Sequence, residues 1–230
     1  MDEVVSKTGI SKRIVAGDML DYHEFDLWAG GYDNEVRISD EQNDFPFAGY
    51  RKMMSIIYNT VMRKKPAKVL DIGIGTGMLA KSLYEEGNEI TGIDFSDEML
   101  KKSKAKMPNA ILIQCDFSKG LPSELNNRKY DFIISTYALH HLPDIMKLDF
   151  IRTLLRCLDE EGVIIIGDVG FPCWGDLEKS KKANPDEWDD DEYFFVFTEL
   201  ITRLCHHCIL TYHQLSHCAG ILEIRPGGGN

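Results

Sequence analysis

The fold of this 230-residue chain is decided by residues Val69 to Gly77, which read VLDIGIGTG. The stretch opens as an apolar run, too short and too β-branched for a helix, and ends in an acid and three alternating glycines. From Met78 to Glu86 apolar residues recur at helical spacing. The pattern predicts a buried strand that turns through the glycines into a helix. The free amides at the start of that helix then face a ligand.

Several classes of ligand site use such a turn, and the neighbouring residues distinguish them. The phosphate loop of nucleotide hydrolases ends in Gly-Lys-Ser/Thr, whereas here Gly77 is followed by Met78. A dinucleotide site needs glycine or alanine where Met78 stands, which disfavours a nicotinamide-dependent oxidoreductase. The stretch Asp71-x-Gly73-x-Gly75-x-Gly77 instead resembles the glycine motif of class I S-adenosylmethionine-dependent methyltransferases.

Three further strand ends extend the resemblance. Residues 89–94 form a second predicted strand, whose terminal Asp94 stands about 20 residues after the loop, where a carboxylate can accept both ribose hydroxyls. A third predicted strand, 110–115, is followed by Asp116 and Phe117, and a fourth, 130–135, runs into the segment Tyr137 to Pro143. The match covers residues 68–171 well. It is strongest to small uncharacterised bacterial methyltransferases of the methyltransferase-domain 11/25 type, which share a Trp-Ala-x-x-Tyr-Asp segment found here at 28–33.

The resemblance implies an α/β fold, namely a Rossmann-like, doubly wound, mostly parallel sheet of about seven strands with helices on both faces and a C-terminal antiparallel hairpin. Length and composition agree with one globular domain. We expect a single methyltransferase domain over residues 1–230. Its predicted parts are an N-terminal helical cap (1–65), a cofactor-binding core (66–170), a lid and helix (171–208) and a closing hairpin (209–226).

The resemblance also implies S-adenosyl-L-methionine as the cofactor. The residues assigned to it are Asp71, Gly73, Gly75, Gly77, Asp94, Phe95, Met99, Asp116, Phe117 and Tyr32. In the family the two leading glycines meet the methionine part, the second-strand acid meets the ribose, and the third-strand acid lies beside the adenine. Asp71 orders the loop from beneath or reaches the cofactor's ammonium group. Tyr32 either leans over the methionine end or anchors an N-terminal helix to the core.

Methyl transfer to a small-molecule acceptor is the function that the resemblance implies. A sulfonium already activates the methyl group, so a general base is not obligatory. If one is needed, His140 or His141 is the catalytic candidate, although both can instead pack or cap a turn. The predicted substrate pocket comprises Tyr137, Asp168, Trp174 and Trp188. A protein that binds S-adenosylmethionine or S-adenosylhomocysteine without catalysis is the main alternative.

Charge and hydropathy limit the partners. The net charge of −11 and the isoelectric point near 5.1 argue against nucleic acid or an anionic membrane as a partner. No apolar run approaches the roughly 20 residues of a membrane span, and acids stand where a signal peptide needs cations. A cytoplasmic location is therefore expected. The oligomeric state does not follow from the sequence.

Two clusters suggest a metal, but each has a structural interpretation that we favour. The acids in 186–192 fit a solvated loop leading into an acidic helical turn. Cys205, His206, His207 and Cys208 have zinc-ligand spacing, yet the cysteines continue one apolar helical face and no second Cys-x-x-Cys follows. The sequence therefore predicts no metal site.

Overall fold

The computed structural model describes residues 34–125 and 127–227. Its helices are α1 (Asn34–Gln42), α2 (Tyr50–Val61), α3 (Met78–Glu85), α4 (Asp97–Lys106), α5 (Asp144–Arg156), α6 (Trp174–Ala183) and α7 (Phe197–Leu204). Short 3₁₀ turns cover Phe117–Lys119, Ser123–Leu125 and Leu139–His141. Its strands are β1 (Lys68–Ile72), β2 (Glu89–Asp94), β3 (Ile111–Gln114), β4 (Tyr130–Thr136), β5 (Leu158–Phe171), β6 (Phe195–Val196), β7 (Cys208–Gln214) and β8 (Ala219–Pro226).

The strands form one mixed sheet in the order β3-β2-β1-β4-β5-β8-β7. The first five run parallel, whereas β8 is antiparallel to β5 and β7 is antiparallel to β8. This order confirms the predicted doubly wound sheet and its closing hairpin. The sequence prediction of seven strands missed β6, which pairs in parallel with the end of β5.

Helices cover both faces of the sheet, which explains why nearly every residue of the central strands β1 and β4 is buried and why apolar residues occur on both faces. Side chains alternate along β1, so that Val69 and Leu70 lie on opposite faces. Val69 packs in the cluster that contains Ile57 of α2 and Leu83 of α3. Leu70 packs in the cluster that contains Ile151 of α5. Burial on both faces therefore fixes the strand register that carries the glycine turn.

The segment after β5 differs most from expectation. The sequence pattern predicts a loop over residues 171–188, but the segment contains the helix α6. The acids of 186–192 lie in the turn between α6 and β6, so the prediction that they lead into an acidic helical turn is wrong. One of these acids, Asp190, forms an ion pair with Lys181 of α6, with Nζ 2.5 Å from Oδ1.

The sheet order defines where a ligand can enter. The chain leaves β1 for β2 on one side and returns to β4 on the other, so the crevice opens at the carboxyl ends of β1 and β4. The glycine turn after β1 and the segment after β4 meet there. Among the described helices, none is long and apolar enough to cross a membrane.

Candidate active site

The glycine turn packs against the segment after β4 so tightly that side chains are excluded. Gly73 has φ +71°, and a Cβ added to it would lie 2.5 Å from the Cβ of Ala138. Gly77, also at φ +71°, begins α3, and a Cβ there would lie 2.8 Å from Ser103 Oγ. That hydroxyl donates to the Gly75 carbonyl at 2.7 Å. Both the left-handed backbone and the close contacts therefore require glycine at these positions.

Asp94 ties the glycine turn to the end of β2. Its buried carboxylate accepts hydrogen bonds from the backbone N–H of Gly75 at 2.8 Å and of Ser96 at 2.9 Å. Ser96 in turn caps α4, accepting from the backbone N–H of Met99. Each carboxylate oxygen of Asp94 retains a further lone pair for a ligand.

Asp71 lies beneath the same turn with its charge unbalanced. The residue is only 4% exposed, and its Oδ1 has no hydrogen-bond partner within the described part of the chain. Burial, with a smaller contribution from the charge of Asp94, raises the pKa of the Asp71 carboxyl to about 7. A buried carboxylate of this kind is an attractive position for a cationic group.

A cavity of about 380 Å³ opens over these groups. It brings together nine of the residues predicted from the sequence: Asp71, Gly73, Gly75, Asp94, Phe95, Met99, Phe117, Tyr137 and His141. Sequence reasoning assigned no ligand role to Met54, Met78 and Thr136, which also line the cavity. Met54 belongs to α2, far from the glycine turn in sequence, and no motif marks it as a cavity residue.

The ring of Phe95 stands out at the rim because it is 71% exposed. Phe117, also at the cavity, stacks on Phe150 with ring centroids 5.8 Å apart and is held by the core. Of the two phenylalanine rings at the cavity, that of Phe95 is therefore free and that of Phe117 is fixed. Such faces suit a planar base.

Several predicted residues lie outside the cavity lining. Asp116 is exposed, accepts hydrogen bonds from Ser118 and pairs with Lys119 at 3.0 Å. Gly77 lies beneath the cavity at the start of α3.

The two predicted tryptophans are also outside the lining. The half-exposed Trp174 donates through Nε1 to Glu199, and Trp188 stacks on Phe45 with ring centroids 5.6 Å apart. Tyr32 falls outside the described residues.

The two histidines of the segment after β4 occupy different environments. His140 is 7% exposed, and its Nδ1 lies 2.7 Å from Oδ1 of the buried Asp168. Its Nε2 lies 3.5 Å from Glu192 Oε1. Burial opposes a charge on His140, but the two carboxylates outweigh it and hold the imidazole pKa above its ordinary value. His141 lines the cavity, where burial and the neighbouring His140 lower its pKa.

Asp168 therefore acts on His140 rather than on the cavity. Its Oδ2 also accepts from the backbone N–H of His140 at 3.2 Å. Of the two predicted catalytic histidines, His141 is the one that faces the ligand space.

One group of three side chains of the types that bind metal ions occurs among the described residues. His140, His141 and Glu192 have ligand atoms within 4.8 Å of one another. In the Cys205 to Cys208 segment, by contrast, the buried Cys208 thiol donates to the carbonyl of Leu204. Burial raises the Cys208 thiol pKa to about 11. The prediction that both cysteines continue one apolar helical face is wrong, because α7 ends at Leu204, Cys205 is exposed and the buried Cys208 begins β7.

A larger cavity of about 540 Å³ lies at the opposite end of the sheet. Its lining includes Lys68, Glu89 and Tyr130, which stand at the amino ends of β1, β2 and β4. Open α/β sheets bind their ligands at the carboxyl ends of the strands, and the glycine turn is there too. The smaller cavity is therefore the candidate site.

Comparison with known proteins agrees with this geometry. A family profile described as a methyltransferase domain matches residues 69–162. An uncharacterized methyltransferase of Geobacillus thermodenitrificans is 40% identical over 149 residues, which are 64% of this chain and 66% of the relative. One of Alkaliphilus oremlandii is 32% identical over 154 residues, 66% of this chain and 69% of the relative. The chain belongs to the class I S-adenosylmethionine-dependent methyltransferase family.

A solved structure of another methyltransferase shows the same fold. The magnesium protoporphyrin IX methyltransferase of Synechocystis PCC 6803, bound to S-adenosylhomocysteine, superposes with a TM-score of 0.65 at 18% identity. The superposition covers 89% of this chain and 94% of that chain. At this sequence identity the superposition shows that the two proteins share the fold.

Proposed function

We propose that this methyltransferase transfers a methyl group from S-adenosyl-L-methionine to a small-molecule acceptor. The observation that carries the proposal is the buried Asp71 carboxylate at the cavity, whose Oδ1 has no partner among the described residues. The cofactor carries an ammonium and a sulfonium, and a cation near Asp71 offsets the burial of its charge. A neutral or anionic ligand would leave that charge unbalanced.

The remaining lining fits the other parts of the cofactor. A Cβ on Gly75 would meet nothing nearer than the Gly73 carbonyl oxygen at 4.0 Å, so the backbone is open to close approach. Asp94 has free lone pairs for the ribose hydroxyls. Phe95 and Phe117 offer aromatic faces for the adenine. When bound, the cofactor supplies a methyl group already activated by positive sulfur.

The acceptor side is formed by Tyr137 and its neighbours. Tyr137 has φ +48°, a rare backbone conformation for a residue with a large side chain. Its ring contacts those of Phe47 and Tyr50, with centroids 5.0 and 5.6 Å away. Its buried hydroxyl has no hydrogen-bond partner in the part of the chain that the structure describes. We assign this hydroxyl and the imidazole of His141 to the binding of the acceptor.

A small acceptor is favoured because helix α2 and the segment before it, which carries Phe47, lie close over this side of the cavity. The chain's contribution to the reaction is then to exclude water and to hold the acceptor in line with the methyl carbon. Because the chain belongs to a methyltransferase family, the alternative of a nicotinamide-dependent oxidoreductase is no longer favoured. Binding without catalysis is distinguished by a transfer assay.

Ligand-dependent stability tests the cofactor first. We expect S-adenosylmethionine and S-adenosylhomocysteine to raise the unfolding temperature, whereas NAD does not. A ligand at 100 times its dissociation constant adds about 2.7 kcal/mol to the free energy of unfolding. No rise with either adenosyl ligand would contradict the proposal.

A matched pair of variants tests the site itself. Phe95→Ala removes a ring that is 71% exposed in the free protein, so stability stays unchanged while cofactor affinity falls about tenfold. Ile145→Ala removes a side chain that is 61% exposed but lies outside the cavity, and it leaves affinity unchanged. Equal effects of both variants would refute the site.

Transfer of a labelled methyl group is then measured with small hydroxy, thiol and amino compounds. Turnover of any of them establishes catalysis. Tight cofactor binding with no turnover of any small compound would favour the non-catalytic alternative.

A further inference from the structure

His140, His141 and Glu192 converge from two separate parts of the chain. The histidines belong to the 3₁₀ turn after β4, and Glu192 belongs to the segment between α6 and β6. His140 Nε2 lies 3.5 Å from Glu192 Oε1, and one ligand atom from each of the three residues lies within 4.8 Å of the others. Ligand atoms about 2.0 to 2.2 Å from one metal ion are separated by about 3 to 4 Å, so small side-chain movements suffice.

The carboxylate of Asp168 orients the imidazole of His140 as a ligand. Asp168 is buried and occupies Nδ1 of His140 at 2.7 Å, which leaves Nε2 directed toward Glu192. A carboxylate that fixes the far nitrogen of an imidazole is the usual second partner of a metal-binding histidine. The arrangement thus has both the ligands and the group that orients one of them.

Backbone contacts hold the acidic segment against the histidine turn. The N–H of Tyr193 donates to the carbonyl of His140 at 2.7 Å. The buried Lys147 of α5 donates through Nζ to the carbonyl of Tyr193 and to Asp144. Glu192, the residue before Tyr193, is therefore held at a fixed place beside His140.

We propose that these three side chains bind one divalent cation at the mouth of the cofactor cavity. Two imidazoles and one carboxylate suit a cation of intermediate softness, such as Zn²⁺ or Co²⁺, better than Mg²⁺ or Ca²⁺. Three protein ligands leave at least one coordination position open. Since His141 also lines the cavity, the proposed cation site adjoins the ligand space.

The role of the cation rests on the proposed methyl transfer, whereas the cation site itself does not. An acceptor with a hydroxyl or thiol group binds the open position through oxygen or sulfur. The cation lowers the pKa of that group, so that its proton passes to water and the oxygen or sulfur keeps the electron pair. That pair forms the new bond to the methyl carbon while the S–CH3 bond of the cofactor breaks, its electron pair stays on sulfur, and neutral S-adenosylhomocysteine leaves. The site therefore selects an oxygen or sulfur acceptor over a simple amine.

Cobalt titration tests the site without any activity measurement. The full chain is prepared without a histidine tag, stripped with a chelator and titrated with Co²⁺ while its visible absorption is recorded. We expect one Co²⁺ per chain, displaced by Zn²⁺, with no thiolate-to-cobalt charge-transfer band. Glu192→Gln and His141→Ala each lower Co²⁺ affinity about tenfold or more, because each removes one ligand.

Two control variants separate this site from the other metal-ligand pattern. His207→Ala and Cys205→Ser remove exposed side chains of the Cys205 to Cys208 segment and leave Co²⁺ affinity unchanged. Binding that is lost in these controls but kept in Glu192→Gln would overturn the proposal, as would absence of stoichiometric binding.

Calorimetry with S-adenosylmethionine on the same metal-free preparations tests whether each variant is folded, because we expect only folded protein to bind the cofactor. It also separates the two proposals, because cofactor binding without cobalt binding overturns only the cation site.

Discussion

Replacing Asp71 by asparagine should make the ligand-free protein more stable at neutral pH and bind its cofactor more weakly. The Asp71 carboxyl titrates near pH 7 in the folded chain and at about 3.8 in the unfolded chain. Because its folded-state pKa is raised, the folded protein holds a proton that the unfolded chain has lost. Stability is therefore lost as pH rises between those values.

The magnitude follows from the pKa difference. Each pKa unit corresponds to about 1.4 kcal/mol, so the loss reaches about 4 kcal/mol at pH 7 and stays constant above it. The amide of the Asp71→Asn variant would carry no such charge. The stability advantage of this variant should grow by about 1.4 kcal/mol per pH unit between about pH 5 and pH 7 and then level off.

Denaturant unfolding at about pH 5, 6, 7 and 8 measures this advantage. Asp131→Asn is the matched control on the neighbouring strand β4. Burial opposes the charge of Asp131, but hydrogen bonds from Lys64 and Lys68 outweigh it and hold the carboxyl pKa below its ordinary value. Its contribution is present above about pH 4 and lost only in more acidic solution, so Asp131→Asn should destabilise the protein equally across this range.

Calorimetry completes the test. Wild-type affinity for S-adenosylmethionine should rise between about pH 6 and pH 7 as Asp71 ionises, and the Asp71→Asn variant should bind more weakly with no such rise. A pH-independent stability difference, or a variant with unchanged cofactor affinity, would refute the assignment of an unbalanced buried charge to this site.

Three further substitutions separate binding from stability. Asp94→Ala should weaken cofactor binding by about 1.5 to 3 kcal/mol in calorimetry, whereas Asp116→Ala, at an exposed carboxylate outside the cavity, should not change it. Gly73→Ala should abolish cofactor binding because its Cβ would overlap Ala138, whereas Gly87→Ala, at φ +88° with nothing within 4 Å, should only reduce stability by about 1 to 2 kcal/mol. Tyr137→Phe should raise the free energy of unfolding by about 1 kcal/mol and raise KM for the acceptor, since it removes a buried hydroxyl without a partner in the described chain. The site would be contradicted if Asp116→Ala weakened cofactor binding more than Asp94→Ala, if Gly87→Ala weakened it more than Gly73→Ala, or if Tyr137→Phe lowered KM for the acceptor.

Local patterns predicted several of the residues that line the cavity. Asp71, Gly73, Gly75 and Asp94 follow buried strands of a parallel sheet, and such strand ends lie at one edge whatever the loops do. Strand apolarity and glycine spacing are sufficient to place them. The same reasoning correctly placed Asp116 just after β3. Its side chain, however, is exposed to solvent and pairs with Lys119, and the local sequence pattern did not predict that orientation.

The segment after β5 was predicted less well because its structure depends on distant partners. Helix α6 has only a weak apolar pattern, and β6 exists because Phe195 and Val196 extend alongside the end of β5. The sequence analysis assigned Trp174 and Trp188 to the substrate pocket because they lie in the segment predicted to form a lid. In the structure Trp174 contacts Glu199, and Trp188 packs on Phe45, far away in sequence.

The sequence by itself indicated most of the strands and the glycine turn, because each is visible in residues that are neighbours in the chain, and the family resemblance supplied the doubly wound arrangement of those strands. Tertiary structure alone decided which charges remain unbalanced and which side chains converge. Asp71 lacks a partner at one oxygen within the described residues, and His140 meets both Asp168 and Glu192, only because separate strands and turns pack together. Burial and contacts between distant parts of the chain set the pKa values of these groups, and neither can be predicted from the spacing of residues along the chain.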